Sequence, residues 1–380
     1  MSGWTRRTVL GAAAGGLSGS VAGCSRPTGG AIDGWPLWRR DPARTGFNPE
    51  ASGASEGEPV WTTRLGVAAG PPVVTSAGVF TGGERVTASN RASGGIRWEY
   101  PLFFTTQEAL ATSGGWVYAV GRSTLLSIDS ASGQRDWFET NDIWRYHAPT
   151  VANGRLFIGM TKVKYSTSFD ARVIALGLDG AIKWKTPVGS NVIPPFGVAV
   201  KGNRVYAARD RVTALDARSG RELWTFTEPS ISSFGDPVAS EEIIYVAATR
   251  PTDGVPAGTL FALNAADGAE RWRIETGLSP TPPAISDDGI YFGADQVYAV
   301  ASDGSIDWTY GGNQFVTASP SIGGVTVYLG GIDGRVVALD AATGDRRWQR
   351  AMPGSLLHAP AVYGDYLYVA SADGYLMAFE

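Results

Sequence analysis

The chain has 380 residues, a formal net charge of −4 at pH 7 and a single cysteine. A slightly acidic chain has no basic stripe of the kind that nucleic-acid binding needs, which argues against that class of function. One cysteine allows no disulfide framework within the chain, and 50 glycines fit a fold with a turn every few residues.

Residues 1–23 predict an export signal rather than part of the fold. Thr5–Leu10, read TRRTVL, resembles a twin-arginine signal, and Val21–Cys24, read VAGC, resembles a lipobox. We expect cleavage before Cys24, lipidation of its thiol, and a tether over residues 24–34. The alternatives are an ordinary tail or a short membrane helix, but the intervening run is too short and too glycine-rich to span a bilayer well.

Residues 35–57 form an N-terminal extension that carries Trp35 and Trp38 outside any repeat. An exposed tryptophan pair can mark a partner surface. The alternative, which we favour, is that the extension packs its aromatic side chains across the rest of the fold.

A repeating unit occupies residues 58–380 and is clearest between Ala318 and Trp348. Two short apolar runs, Thr326–Leu329 and Arg335–Leu339, flank Asp333-Gly334 and predict a β-hairpin. The turn Asp340–Gly344, read DAATG, follows, and Trp348 begins a third strand.

The same unit recurs along the chain, and an internal repeat of this length predicts a repeat architecture. Its copies are Ala88–Trp98, Ser127–Trp137, Ala175–Trp184, Ala214–Trp224, Ala262–Trp272, Ala299–Trp308 and Ala338–Trp348. An eighth copy opens at His358 but stops at Glu380 before any tryptophan, whereas Glu58–Thr63 supplies Trp61 without a hairpin of its own. We therefore predict an all-β, eight-bladed β-propeller closed by the N-terminal strand, which leaves no open sheet edge between the termini.

The motif A-x-D-x-x-T-G-x-x-x-W resembles the tryptophan-docking motif of pyrroloquinoline-quinone (PQQ) repeat propellers. The resemblance covers roughly residues 58–380 and implies that the motif tryptophans have a structural role between blades. They are Trp61, Trp98, Trp137, Trp184, Trp224, Trp272, Trp308 and Trp348. Members of that superfamily include quinone-dependent dehydrogenases and non-enzymatic scaffolds, such as the lipoprotein subunit of the outer-membrane β-barrel assembly machinery. The fold alone does not choose between them.

One face of the ring is the predicted binding face. With strands a to d numbered outward from the axis, the b–c turns and the d–a crossovers emerge on the same side. The insertions Met160–Ala171 and Thr249–Gly258 both interrupt b–c turns, and insertions on one face indicate binding. The candidate residues, mostly interface-forming types, are Phe103, Phe104, Trp144, Arg145, Tyr146, His147, Phe234, Phe315 and His358.

His147 and His358 each precede Ala-Pro at the start of an inner strand. They predict either a proton-transfer or metal pair, or two polar residues at equivalent repeat positions that neighbouring backbone satisfies. We favour the second interpretation.

A quinone dehydrogenase would hold PQQ above Ca²⁺ with carboxylate ligands and an aspartate base, as the resemblance implies. The well-placed acids are Glu108, Asp142 and Asp236. Because the chain lacks adjacent cysteines and an Asp-rich calcium loop, we assign no catalytic residue, no metal site and neither cofactor.

The favoured hypothesis is a monomeric protein-binding scaffold of the cell envelope, lipid-anchored to the outer face of the cytoplasmic membrane or to an outer membrane. The alternative is a sensor that binds a small ligand or carbohydrate in the central funnel. A PQQ-dependent dehydrogenase is the least favoured alternative.

Overall fold

The computed structural model describes residues 5–6, 33–66, 68–102, 110–121, 123–141, 143–164, 168–189, 197–252, 254, 257–311 and 318–380. Every regular element among these residues is a β-strand, and the strands form eight antiparallel blades. The predicted eight-bladed propeller is confirmed. Among the described residues there is no helix of the length and apolarity needed to cross a bilayer.

Each of blades one to seven is continuous in the chain, and its strands run from the axis outward. Blade one contains Val73–Thr75, Gly78–Thr81, Arg85–Ser89 and Ile96–Pro101; blade two contains Ala111–Ser113, Trp116–Val120, Thr124–Asp129 and Arg135–Thr140. Blade three contains Trp144–Tyr146, Thr150–Ala152, Arg155–Lys164, Ser168–Gly177 and Ile182–Gly189; blade four contains Val198–Lys201, Arg204–Ala208, Val212–Asp216 and Glu222–Phe226. Blade five contains Ser233–Phe234, Val238–Ala239, Ile243–Arg250, Ala257–Asn264 and Glu270–Thr276; blade six contains Ala284–Ile285, Ile290–Gly293, Val297–Val300 and Ile306–Tyr310. Blade seven contains Ser321–Gly323, Thr326–Gly330, Arg335–Asp340 and Arg346–Ala351.

Blade eight joins the two ends of the propeller. Ala361–Tyr363, Tyr366–Ala370 and Tyr375–Phe379 are its inner strands, and Pro59–Arg64 is its outer strand. Trp61 pairs with Ala378 in this antiparallel ladder, so the predicted closure by the N-terminal strand is confirmed. Two further short strands lie on blades: Thr5–Arg6 on the outer edge of blade two, and Phe47–Asn48 parallel to the inner strand of blade seven.

Burial explains why the middle strands are almost wholly apolar. Thr326–Gly330 is buried along its whole length because blade seven is packed between two neighbouring blades. The outer strand Ile96–Pro101 instead alternates exposed and half-buried positions, as expected where one side meets solvent.

The motif tryptophans join each blade to the next. Every indole N–H donates to a main-chain carbonyl in the c–d turn of the following blade, at 2.9–3.1 Å. The acceptors, from Trp61 to Trp348 in chain order, are Arg91, Ser130, Leu178, Ala217, Ala265, Ser302, Ala341 and Ala54. An aromatic ring on the second strand of the same blade packs against each tryptophan at 5.8–6.2 Å between centroids.

The last of these contacts places the start of the ring earlier than residue 58. Trp348 donates to Ala54, and Gly57 lies against its ring with φ of +67°. Ala54–Gly57, read ASEG, thus supplies the c–d turn of blade eight, in the place that Ala341–Gly344, read AATG, takes in blade seven. The closing segment therefore includes this turn as well as the outer strand.

The motif glycine is required by the same contact. The glycine of each c–d turn has positive φ, and a Cβ added to it would lie 2.5–3.3 Å from an atom of the docked tryptophan ring or a neighbouring side chain. Glycine therefore allows the turn and also admits the indole.

We predict that Gly220→Ala destabilises the protein far more than Gly202→Ala. Both glycines have positive φ in blade four, at +73° and +56°, but an added Cβ at Gly220 meets the Trp184 ring at 2.6 Å whereas none meets an atom within 4 Å at Gly202. Backbone strain alone costs about 1–2 kcal/mol, and overpacking adds about 1–3 kcal/mol. Urea unfolding of both variants measures the difference, and equal losses would contradict a role for glycine in tryptophan docking.

Residues 33–53, here called the axial segment, run along the inner strands of the ring. Inner-strand N–H groups in six blades donate to carbonyls of this segment at 2.6–2.9 Å. The donor–acceptor pairs are Val74–Trp35, Thr112–Pro36, Val200–Pro42, Ala239–Ala43, Ile285–Thr45 and Ile322–Gly46. In blade eight the Asn48 side chain donates to the Val362 carbonyl instead.

Trp35 is 1% exposed and Trp38 is half-buried beneath the Arg44 guanidinium. The extension therefore packs its aromatic side chains into the ring, as we favoured from the sequence. It does not present them as a tryptophan pair on the surface.

Candidate functional site

The two insertions extend the b–c hairpins of blades three and five beyond the other blades. Arg155–Lys164 pairs with Ser168–Gly177, and Ile243–Arg250 pairs with Ala257–Asn264. Each extension carries a short extra strand from the preceding crossover: Trp144–Tyr146 pairs with blade three and Ser233–Phe234 with blade five. Crossover and insertion thus form one surface in each blade, here called the insertion face.

On blade three the insertion face presents a tryptophan surrounded by cations. The Lys185 Nζ lies 4.5 Å from the Trp144 ring centroid, the Arg172 Cζ 5.1 Å, and the Lys162 Nζ 6.0 Å. Asn141 fixes the start of this strand by accepting from the main-chain N–H groups of Ile143 and Trp144. We call Trp144, Lys162, Arg172 and Lys185 the Trp144 cluster.

The electrostatics of the Trp144 cluster are dominated by positive charge. Asp170 accepts from Arg172 at 2.6 Å, and both side chains remain partly exposed, at 22% and 32%. Burial, followed by the charge of Arg172, lowers the pKa of Lys185. Among the contacts of the described residues, three cations and one carboxylate surround the aromatic ring, an arrangement that attracts an anionic group to a partly buried surface.

The other predicted binding-face residues are placed differently. Arg145 is exposed beside Trp144. Tyr146 is 2% exposed in the core between blades two and three, and Phe234 is 1% exposed, packed against Phe226 and Phe261 at 6.0 and 5.9 Å between centroids. These last two rings belong to the core rather than to an accessible surface, because the extra strands turn them inward. Phe103, Phe104, Glu108, Asp142 and Phe315 lie outside the described residues.

The two histidines occupy equivalent repeat positions but differ in environment. His147 is buried, with its Nε2 3.0 Å from the Thr161 hydroxyl and its main-chain N–H donating to Gly159. His358 is half-buried, and burial lowers its pKa to about 4. No group of three or more metal-ligating side chains forms within the described part of the chain.

Two buried arginines of the axial segment fill the middle of the ring. Arg39 donates to the carbonyls of Pro282, at 2.9 Å, and Pro283 beside blade six. Arg44 donates to the Val198 carbonyl of blade four at 2.8 Å and pairs with Asp236 beside blade five at 3.2 Å. Burial, followed by the charge of Arg44, lowers the pKa of Arg39 to about 9.

This arrangement does not fit a quinone site. Asp236, the only one of the three nominated acids within the described residues, is committed to Arg44 and to the Gly197 N–H at 2.6 Å. Arg44 also occupies the space beside Gly197, where an added Cβ would lie 2.2 Å from its guanidinium. No catalytic step through a quinone can be derived from these residues.

The sequence did not reveal Lys162, Arg172 and Lys185 as site residues. They lie on three different strands, and only the register brings them to Trp144: Lys162 pairs with Trp144 and with Asp170, and Arg172 with Pro187. The usable signal was the insertion itself, whose strands carry cations at alternating positions.

The fold and the repeated tryptophan contacts define an eight-bladed propeller of the PQQ-repeat class. A family profile described as outer membrane protein assembly factor BamB matches residues 45–191, 139–282 and 256–380. Since these matches together cover most of the chain, the protein belongs to that family.

Two curated relatives illustrate its range. Outer membrane protein assembly factor BamB of Bordetella pertussis is 28% identical over 279 residues, which are 65% of this chain and 67% of that protein. The serine/threonine-protein kinase AfsK of Streptomyces griseus is 26% identical over 288 residues, 71% of this chain but only 33% of the kinase.

Solved structures support the fold alone. BamB from Moraxella catarrhalis superposes with a TM-score of 0.64 at 18% identity, covering 85% of this chain and 99% of that one. A europium-containing methanol dehydrogenase superposes with a TM-score of 0.70 at 13% identity, covering 90% of each chain. BamB and a methanol dehydrogenase thus share this architecture.

We predict that His358 makes the fold acid-sensitive. Its pKa lies near 6.5 in the unfolded chain and at about 4 in the folded protein, so the unfolded state binds the extra proton between these values. Stability is therefore full above pH 6.5 and falls as the pH drops toward 4. Because the ring is only half-buried, we expect about 1–2 kcal/mol of this loss rather than the full shift.

The measurement is urea unfolding of the wild type and His358→Gln between pH 7 and 4. Carboxylates titrate in both proteins, so only the difference between the curves reports His358. The wild type should lose more stability than the variant, and parallel curves would contradict the assignment.

Proposed function

We propose that this chain is an exported, lipid-anchored propeller that binds a protein partner of the cell envelope through its insertion face. The Trp144 cluster is the observation that carries the proposal. The cluster combines an aromatic side chain with several cations, which is the composition of an interface anchor. It lies on a hairpin that is longer than the contacts between blades require. The family membership and the relatives named as outer membrane assembly factors support the same role.

The partner we propose presents an acidic surface to blade three. Lys162, Arg172 and Lys185 outnumber Asp170, so an approaching carboxylate gains Coulomb energy and can also shield the Trp144 ring from water. Such contacts govern the association rate and its salt dependence more than the total affinity.

The proposed export and membrane anchoring depend on the N-terminal signal segment. Of residues 1–32 the structure describes only Thr5 and Arg6, so export, cleavage before Cys24 and lipidation rest on the sequence motifs. A monomer with no enzymatic activity is part of the same proposal.

The competing functions use the axis of the ring. Arg39 and Arg44 are 0% and 1% exposed there, and their side chains contact residues of blades four, five and six. Because the chain's own side chains occupy this side of the axis, we favour a partner protein over a small ligand bound between these blades. The pairing of Asp236 with Arg44 likewise disfavours a quinone dehydrogenase.

We predict that Lys185→Glu and Trp144→Ala each reduce capture of envelope partners by the full-length lipoprotein at least tenfold. The first reverses a charge within the Trp144 cluster, and the second removes its centre. Quantitative affinity purification from detergent-solubilised membranes, followed by mass spectrometry, gives the measurement. Raising the salt concentration should weaken capture by the wild type.

The control is Arg271→Glu, which reverses a half-exposed cation at the opposite face, beside Glu242. This variant should capture the same partners as the wild type. If both insertion-face variants captured partners as well as the wild type did, and Arg271→Glu did not, the binding surface would lie on the opposite face and the proposal would be wrong.

A separate experiment addresses the dehydrogenase alternative. We expect no saturable rise in melting temperature when the protein is incubated with pyrroloquinoline quinone and Ca²⁺, since a ligand of the folded state must stabilise it. A concentration-dependent rise would restore the dehydrogenase alternative and would direct mutagenesis to Asp236 and Arg44.

A further inference from the structure

Blade three interrupts the regular contact between the axial segment and the inner strands. The segment leaves blade two after Pro36 and Leu37, turns through Arg39 and Arg40, and meets blade four at Pro42. The turn includes residues with positive φ, at +64° for Arg39 and +71° for Arg40. The axial segment therefore makes no main-chain hydrogen bond to Thr150–Ala152, the inner strand of blade three.

In blade three Val151 is the residue left without this contact, and in blade eight Val362 also lacks it but has its carbonyl bonded by the Asn48 side chain. Val151 corresponds to Thr112 in blade two and Val200 in blade four, whose N–H groups donate to the segment at 2.8 and 2.6 Å. Ala152 pairs with Arg155 across the two-residue turn, so Val151 stands at the next, non-bonded position of the ladder. Its N–H and C=O therefore point toward the axis, and neither has a hydrogen-bond partner among the described residues.

A cavity of about 460 Å³ lies in front of this strand, on the face opposite the insertions. Pro36, Leu37 and Pro42 of the axial segment form one wall, and Val151 forms the other with Trp116 nearby. The volume lies within the range of small binding sites, about 300–1,000 Å³. Hydroxyl groups of Ser113 and Ser130 line the rim.

The chemistry of the cavity selects its occupant. Val151 offers a main-chain N–H donor and C=O acceptor at the spacing of a β-ladder. One residue of an extended peptide can pair with both groups. In six other blades a peptide carbonyl already occupies the equivalent position. Apolar walls from two prolines, a leucine and a tryptophan add room for an apolar side chain.

We propose that this cavity binds a short extended peptide segment of another protein, which pairs with Val151 and completes the row of contacts that the axial segment leaves open. The bound carbonyl accepts from the Val151 N–H, and a peptide N–H donates to the Val151 carbonyl. One apolar side chain of the peptide packs between Leu37 and Trp116. The site lies on the other face from the Trp144 cluster and does not depend on the proposed function.

The test uses the full chain, deuterated and ¹⁵N-labelled, with pools of acetylated and amidated pentapeptides that each fix one position. We expect pools with a fixed apolar residue to shift the Val151 amide resonance saturably and to slow its hydrogen exchange at least tenfold. The Ala239 amide, already bonded to the Ala43 carbonyl and not part of the cavity lining, is the internal reference and should change little. Failure of every pool to shift Val151 would overturn the proposal.

Two variants separate the main-chain contact from simple occupancy. Val151→Pro removes the axis-facing N–H, fixes φ of this residue, and should weaken binding at least tenfold, whereas Val151→Ile keeps the N–H and should bind normally. Ser113→Trp places a bulky side chain at the cavity lining and leaves residue 151 unchanged; it should also block binding, which keeps the test valid if the proline variant does not fold. Equal binding by Ser113→Trp, or a Val151 shift caused by maltose-type oligosaccharides and by no peptide, would refute the peptide site.

Discussion

The hydrogen bond from an indole N–H to a carbonyl of the next blade is the contact on which the ring depends. It determines the composition of the repeat. Glycine lies where the indole covers the turn, a small residue (alanine, or serine in blade two) pairs with the tryptophan in the ladder, and an aromatic ring on the second strand packs against it. Trp348 shows how strongly this contact constrains the fold, because the chain supplies Ala54–Gly57 from its other end to receive it.

The axial segment adds a second constraint that breaks the symmetry of the repeats. Eight repeats could form eight equivalent blades, but the single axial segment along the inner strands contacts each blade differently. Arg39 and Arg44 donate to carbonyls of blades six and four, and Arg44 also pairs with Asp236. Within the described part of the chain these contacts occupy one side of the axis, and the insertion face and the gap before blade three are the surfaces that we propose for binding.

The repeat in the sequence predicts the fold well because each copy of the motif corresponds to one blade. The hairpin, the c–d turn and the motif tryptophan of one blade follow one another directly in the chain, so the motif in Ala338–Trp348 identifies the blade without tertiary information. The candidate site depends on contacts between strands and was predicted only in part: Trp144 and Arg145 are on the surface, whereas Tyr146 and Phe234 turn inward. Lys162, Arg172 and Lys185 could not be identified, since a strand register joins them. The long contacts of Arg39 and Arg44 carry no sequence pattern at all.

We propose that this propeller meets its partner at the insertion face. A photo-crosslinking amino acid in place of Arg145, which is exposed beside Trp144, tests it in intact cells against the same replacement of Arg218, which is exposed on the opposite face. We predict one discrete protein adduct from the first position and none from the second. Adducts formed at Arg218 alone, or equally at both positions, would contradict the claim.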